Sequence, residues 1–128
     1  MKKILIAASC VAAMALPTAA FADAAQEIGT AATHAGLAAK AANVDMVHMH
    51  MHHALNCLVG PKGDGFDAAP GNPCGSQGNG AIPDSADAGQ KAKLTAVVAT
   101  LKAGIANSDQ AAAAKAATDA AAAITAAK

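Results

Sequence analysis

Sliding the chain along itself by 64 positions places Asp23-Ala24 on Asp87-Ala88, Gln26 on Gln90 and Leu37 on Leu101, and it places Ala42-Asn43-x-Asp45 on Ala106-Asn107-x-Asp109. Alanine matches carry little weight in so alanine-rich a chain, but five non-alanine identities in one ungapped register mark an internal repeat. Each copy reads as a helical hairpin. Asn43 and Asn107 suit the left-handed position that closes a helix, and Asp45 and Asp109, or Ser108, suit the N-cap of the next one. Helices are therefore expected near 24–42, 45–58, 86–106 and 109–127. Two hairpins specify an all-α four-helix bundle, up-down-up-down. One long helix from 24 to 57 is the alternative, because residues 43–45 contain neither Gly nor Pro to force a break.

Composition agrees with helices and limits their core. The chain has no Trp and no Tyr, and only Phe66 follows residue 21. Alanine is the best intrinsic helix former and lets helices approach closely, but it buries little area per residue. Between the hairpins, residues 59–83 form a Gly- and Pro-rich loop of about 25 residues, far longer than connections in bundles usually are. Asp64 and Asp67 lie in it without the acidic density of a calcium loop, and they read as solvated turn residues.

The first 22 residues have the organisation of an export signal. Lys2-Lys3 form a positive start, Ile4 to Leu16 an apolar stretch, and Ala20-Phe21-Ala22 a small-x-small cleavage pattern. A single helical domain over 23–128 would then remain, with hairpins at 23–58 and 84–128, in the periplasm or outside the cell. Acylation at Cys10 is the competing reading, with only Ile4-Leu5-Ile6 as a hydrophobic core before it. No later stretch is long and apolar enough to span a membrane. Removing Lys2 and Lys3 leaves seven Lys against nine Asp plus Glu, a balance that argues against nucleic acid as a partner. Cys57 and Cys74 remain, and two cysteines in an oxidising compartment most simply form one disulfide. Paired thiolate ligands are the competing role.

Met46-Val47-His48-Met49-His50-Met51-His52-His53 holds four of the chain's five histidines. Packing alone gives no reason for that repetition, and imidazoles mixed with thioethers point to metal capture. Imidazole suits Cu, Zn and Ni, and thioether sulfur selects Cu(I), so copper comes first, with zinc or nickel behind it. At about 100° per residue, Val44, Val47, Met51, Ala54, Leu55 and Leu58 share the stripe that faces the bundle, which makes Met51 core. His48 and His52 fall on one flank with Asp45 and Met49 beside them. Met46, His50 and His53 fall on the other, with Cys57 a turn further along. His34 precedes the turn by about nine residues and comes back alongside His53 in an antiparallel hairpin. Met46, His50, His53 and His34 thus form the favoured site, and His48 with His52 a second.

The run His50-x-His52-His53-x-x-Asn56-Cys57-Leu58-Val59-Gly60-Pro61, then Phe66-Asp67, Gly71-Asn72-Pro73-Cys74 and Gly78-x-Gly80-Ala81, resembles a pattern in small exported bacterial proteins, most without an assigned function. More distantly, alanine-rich hairpins with His on helix faces resemble the small metal-binding protein group. That resemblance implies a periplasmic four-helix bundle taking up copper and other divalent ions. Proteins of that group carry histidines on all four helices. Here the last two helices have none, which lowers the expected capacity to one or two ions.

No HExxH, CxxCH or nucleophile elbow is present, so no catalysis is expected. The chain reads as a nonenzymatic metal-binding protein for sequestration or delivery, with an exchange partner such as a metallochaperone or another envelope protein. A structural or stress-related envelope protein acting through protein partners is the alternative. Haem on a His/Met pair is disfavoured, because alanine-packed helices leave no bulky apolar lining for it.

Overall fold

The computed structural model describes residues 23–128. The expected export signal over 1–22, with Cys10, lies outside the described residues. Within them the chain forms five helices and no strand: α1 (Ala24–Ala38), α2 (Val44–Val59), α3 (Ala81–Asp84), α4 (Ala88–Ile105) and α5 (Gln110–Thr125). No described helix is long and apolar enough to cross a membrane. α1 packs on α2 and on α5, α2 also packs on α4, and α4 packs on α5, while the single turn α3 touches α1, α2 and α4.

Each long helix starts on a side-chain cap, which satisfies N–H groups that have no partner inside the helix. Asp23 accepts from the N–H groups of Ala25 and Gln26 at 3.0 and 3.2 Å, and Asp87 accepts from Gln90. The repeated Asp therefore marks the start of α1 and of α4. The repeated Asn-x-Asp does different work in its two copies. Asn43 is extended (φ −148°, ψ 164°) and is itself the N-cap of α2, accepting from Met46 N–H. In the second copy Asp109 caps α5 and Asn107 accepts from Asp109 N–H.

Several expectations are thereby corrected. Neither Asn43 nor Asn107 closes a helix in the left-handed region, since no described non-glycine residue has positive φ, and Asp45 lies inside α2 and does not cap it. The first helix ends at Ala38, not near 42. Its last carbonyls are taken by tight i→i+3 bonds, Lys40 N–H to Leu37 and Ala41 N–H to Ala38, which unwind it without Gly or Pro. The extended Asn43 then separates α1 from α2, so a continuous helix over 24–57 does not form.

The core is built from alanine with a few larger side chains. Ala31, Ala35 and Ala38 are fully buried on α1, and Ala113, Ala117 and Ala120 on α5, in each case at the 4- and 3-residue steps of one helix face. α2 contributes Val47, Met51, Ala54, Leu55 and Leu58 to the interior, while Val44 is only half-buried. Helices lined by methyl groups come close enough that even a hydrogen matters. A Cβ on Gly104 of α4 would stand 2.3 Å from Met51 Cε and 2.9 Å from Ala116 Cβ.

Between α2 and α3 the chain leaves the helices and returns to where it left. Gly60 (φ 68°) and Gly80 (φ 115°) cross backbone to backbone, so a Cβ on Gly60 would overlap the Asn79 carbonyl. Cys57 and Cys74, both buried, form a disulfide with Cα atoms 5.2 Å apart, so their thiolates are not available as ligands. Glu27 of α1 is fully buried at this neck, and its Oε1 accepts from Gly80 N–H at 2.8 Å.

Two stability outcomes follow. Gly104→Ala should destabilise the fold by about 1 kcal/mol or more, because overpacking at Met51 and Ala116 outweighs a gain of about 1 kcal/mol in helix propensity. In urea titrations the loss should shrink in a Met51→Ala background, and an additive double variant would count against the contact. Replacing Cys57 and Cys74 together by Ser should cost about 3 kcal/mol in the chain-entropy account, read from the same titrations.

Candidate metal centre

α1 supplies one histidine and α2 two, all on the face where these helices meet. The step from His50 to His53 brings two side chains of α2 to the same side of the helix, and α1 lays His34 against them. One ring nitrogen from each of the three lies within 4.8 Å of the other two, and all three residues are half-buried. The rings of His34 and His53 stand edge to face with centroids 4.8 Å apart, and those of His50 and His53 are 5.8 Å apart.

Nδ1 of His34 and Nδ1 of His50 are 3.3 Å apart. An N–H···N bond requires one ring to carry a proton there and the other a lone pair. The same separation is about the edge of a nitrogen tetrahedron around a zinc-sized ion with bonds of roughly 2.0–2.1 Å. A cation could replace the shared proton with little movement of either ring.

His53 is held differently. Its Nε2 is 2.6 Å from the carbonyl oxygen of Pro70. A carbonyl only accepts, so Nε2 carries the proton and Nδ1 holds the lone pair. That Nδ1 is buried without a hydrogen-bond partner. Leaving a buried acceptor unpaired costs about 1–3 kcal/mol, a cost that an ion beside it would remove.

Electrostatics favours the neutral form of two of these rings. Burial lowers the pKa of His34 from its ordinary value, and the neighbouring His53 and His50 lower it further. Burial and then His53 lower that of His50. Neutral imidazole is the metal-binding form, so both shifts favour ligation near neutral pH.

The other sequence candidates are dispersed. Met46 lies one turn before His50 and is 39 % exposed. Met49 is half-buried and Met51 is fully buried in the core. His48 occupies the opposite flank, where Nε2 donates to the Asn107 carbonyl at 2.8 Å, reaching the α4–α5 connection. Nδ1 of His52 is buried without a partner. Burial lowers the His52 pKa, Asp67 opposes that, and His48 and His53 reinforce it. His34, His50 and His53 form the only convergent His, Cys, Asp or Glu group among the described residues. A separate apolar groove of about 560 Å³, lined by Val59, Ile82, Pro83 and Val98, contains none of the histidines.

No protein-family model, curated protein or solved structure matches this chain.

Three participants were missed in the sequence. The Pro70 carbonyl is a backbone group and leaves no side-chain signal. Asn56 had one: it is a polar residue inside the apolar run Ala54-Leu55-x-Cys57-Leu58, and it is fully buried. Glu27 also had one, since it is the only Glu in the chain and it shares the buried face of α1 with Ile28 and Ala31.

Glu27 and the histidines give opposite pH dependences. Burial, opposed by the Gly80 N–H and reinforced by the Asp84 carboxylate, pushes the Glu27 pKa up to about 7. The folded state therefore holds the Glu27 proton more tightly than the unfolded state, and the resulting stability is lost as pH rises from about 4.5 through 7. Depressed histidines act the other way, with stability present above about 6.5 and lost on acidification. Glu27→Gln should therefore exceed the natural protein in stability at pH 8, converge toward it by pH 5, and show the steeper decline on acidification. Urea titrations across that range test this, and a pH-independent difference between the two proteins would contradict it.

Proposed function

We propose that this chain is an exported, nonenzymatic metal-binding protein that captures copper, with zinc and nickel as weaker candidates, for sequestration or delivery in the periplasm. The observation that carries the reading is the convergence of His34, His50 and His53, with a ring nitrogen of each within 4.8 Å of the others. Three neutral imidazoles suit copper, zinc and nickel alike, and the preference for copper rests on the thioethers. Met46, one turn from His50 and exposed, is the sulfur ligand best placed to join. His48 and His52 are a second, weaker site, giving one or two ions per chain.

The proposed scaffold is a four-helix bundle of two hairpins, with the pseudo-repeat as its origin and a disulfide-pinned Gly/Pro-rich loop between them. The capping Asp at the start of both α1 and α4 supports that plan. A buried disulfide is compatible with an oxidising compartment, and the sequence pattern of residues 1–22 supports export. The likeness to the small exported proteins and, more distantly, to the small metal-binding group enters the reading on the same footing. An exchange partner in the envelope completes the proposed role.

Competition titrations with Cu(I), Cu(II), Zn(II) and Ni(II) on the disulfide-intact protein test it. Changing His34, His50 and His53 together to Ala should lower copper affinity by at least tenfold, and changing His48 and His52 should lower it much less. Affinity should also fall between pH 7.5 and 5.5, because protons compete for the same nitrogens. Equal affinity in the triple variant would end the assignment.

A further inference from the structure

The loop between α2 and α3 lies against the histidine cluster, and one buried side chain holds it there. Asn56 is completely buried and is three residues after His53. Its amide nitrogen donates to the carbonyls of Asp67 and Gly71 at 2.6 and 2.7 Å, and its carbonyl accepts from Asp67 N–H at 3.0 Å. Asn56 therefore fixes both ends of the five-residue segment 67–71. Pro70, inside that segment, is the residue whose carbonyl takes the His53 Nε2 proton. On the far side of the segment, Cys74 is tied to Cys57, one helical turn beyond His53.

We infer that Asn56 is a positioning residue for the metal site: by holding the 67–71 segment on α2 it keeps the Pro70 carbonyl on His53 Nε2 and so commits His53 to bind an ion through Nδ1. This rests on the metal-binding reading of His34, His50 and His53 and assigns the loop a part in it. The chemistry is that of an outer shell. A carbonyl accepting from one ring nitrogen fixes the tautomer and the ring plane, and makes the other nitrogen a better donor. Free imidazole exchanges its tautomers and rotates about χ2. Here the Nε2–H bond at 2.6 Å removes both freedoms. It leaves an unpartnered Nδ1 on the ring that faces His34 and His50. His34 and His50 have no such anchor to the loop, since their close polar contact is with each other, so the segment acts on one ligand of the three.

The test uses ¹⁵N-labelled, disulfide-intact protein and Zn(II) as the probe. Long-range ¹H–¹⁵N correlations distinguish a ligated from a protonated ring nitrogen. In the natural protein, zinc should shift His53 Nδ1 and leave Nε2 protonated. Asn56→Ala should lose 10- to 100-fold in zinc affinity, the range expected for removing outer-shell support, with His53 Nε2 losing its fixed proton. Pro70→Ala keeps the carbonyl and should retain near-natural affinity. Ligation of His53 through Nε2 in the natural protein overturns the inference without any variant, so a misfolded Asn56→Ala cannot shield it. Unchanged zinc affinity in a folded Asn56→Ala overturns it as well, while the metal-binding reading survives both results. If zinc produces no histidine shift, the same correlations are read with Cu(I), and absence of any histidine shift with both ions overturns the two together.

Discussion

Alanine sets the distance between the helices, and most of this architecture depends on that distance. A methyl group buries little area, so the stabilisation per residue is small, and it is recovered by closeness. Ala31, Ala35 and Ala38 on α1 and Ala113, Ala117 and Ala120 on α5 have no exposed surface. The few large side chains must then enter gaps left by still smaller partners, as Met51 does against Gly104. The same closeness lets histidines from two helices meet. His34 of α1, on the helix that carries the Ala31, Ala35 and Ala38 stripe, comes within 3.3 Å of His50 of α2.

A core of this kind has little to offer an irregular segment of some twenty residues, which must be secured by other means. Around the end of α2 the protein uses a covalent link, a backbone crossing and buried polar groups together. Cys57–Cys74 shortens the free chain, Gly60 and Gly80 close the neck, Glu27 takes the Gly80 N–H, and Asn56 takes three groups of the loop backbone. An asparagine can do this because its amide carries the same donor and acceptor as a peptide unit, with one extra donor. Burying such a group is favourable only when its hydrogen bonds are made, and here they are.

What was legible in the sequence followed side-chain periodicity. The α2 stripe of Val47, Met51, Ala54, Leu55 and Leu58 could be read from helical spacing, and counting back from the turn set His34 beside His53. The repeat pointed to cap residues, but its finer meaning depended on backbone conformation. An Asn before a helix serves either a left-handed closure or an N-cap, and at Asn43 the extended backbone decides for the cap. The end of α1 was illegible for a related reason, since Leu37 to Ala41 contains nothing but good helix formers and stops through hydrogen-bond geometry alone. Asn56 and Glu27 stood out in the sequence as polar residues on apolar faces, but their partners lay beyond reading because they are carbonyls and N–H groups, which every residue has.

The division between α2 and the loop also separates two kinds of precision in the cluster. His34 and His50 project from different helices, so their separation reports how α1 sits on α2, and small shifts of the helices change it directly. His53 has a second tie, to the loop through Pro70, besides its edge-to-face contact with His34 of α1. In the proposed site two ligands would follow the helix packing and one would also be held by the loop, so its size could adjust to an ion while one donor stays in place. Because Asn56 and Cys57 follow His53 within one helical turn, the groups that hold the loop and the donor held by it belong to a single rigid stretch of α2. Displacing the loop from Asn56 would free the His53 ring from Pro70, so the ordering of the 67–71 segment and the geometry of the proposed site are one problem.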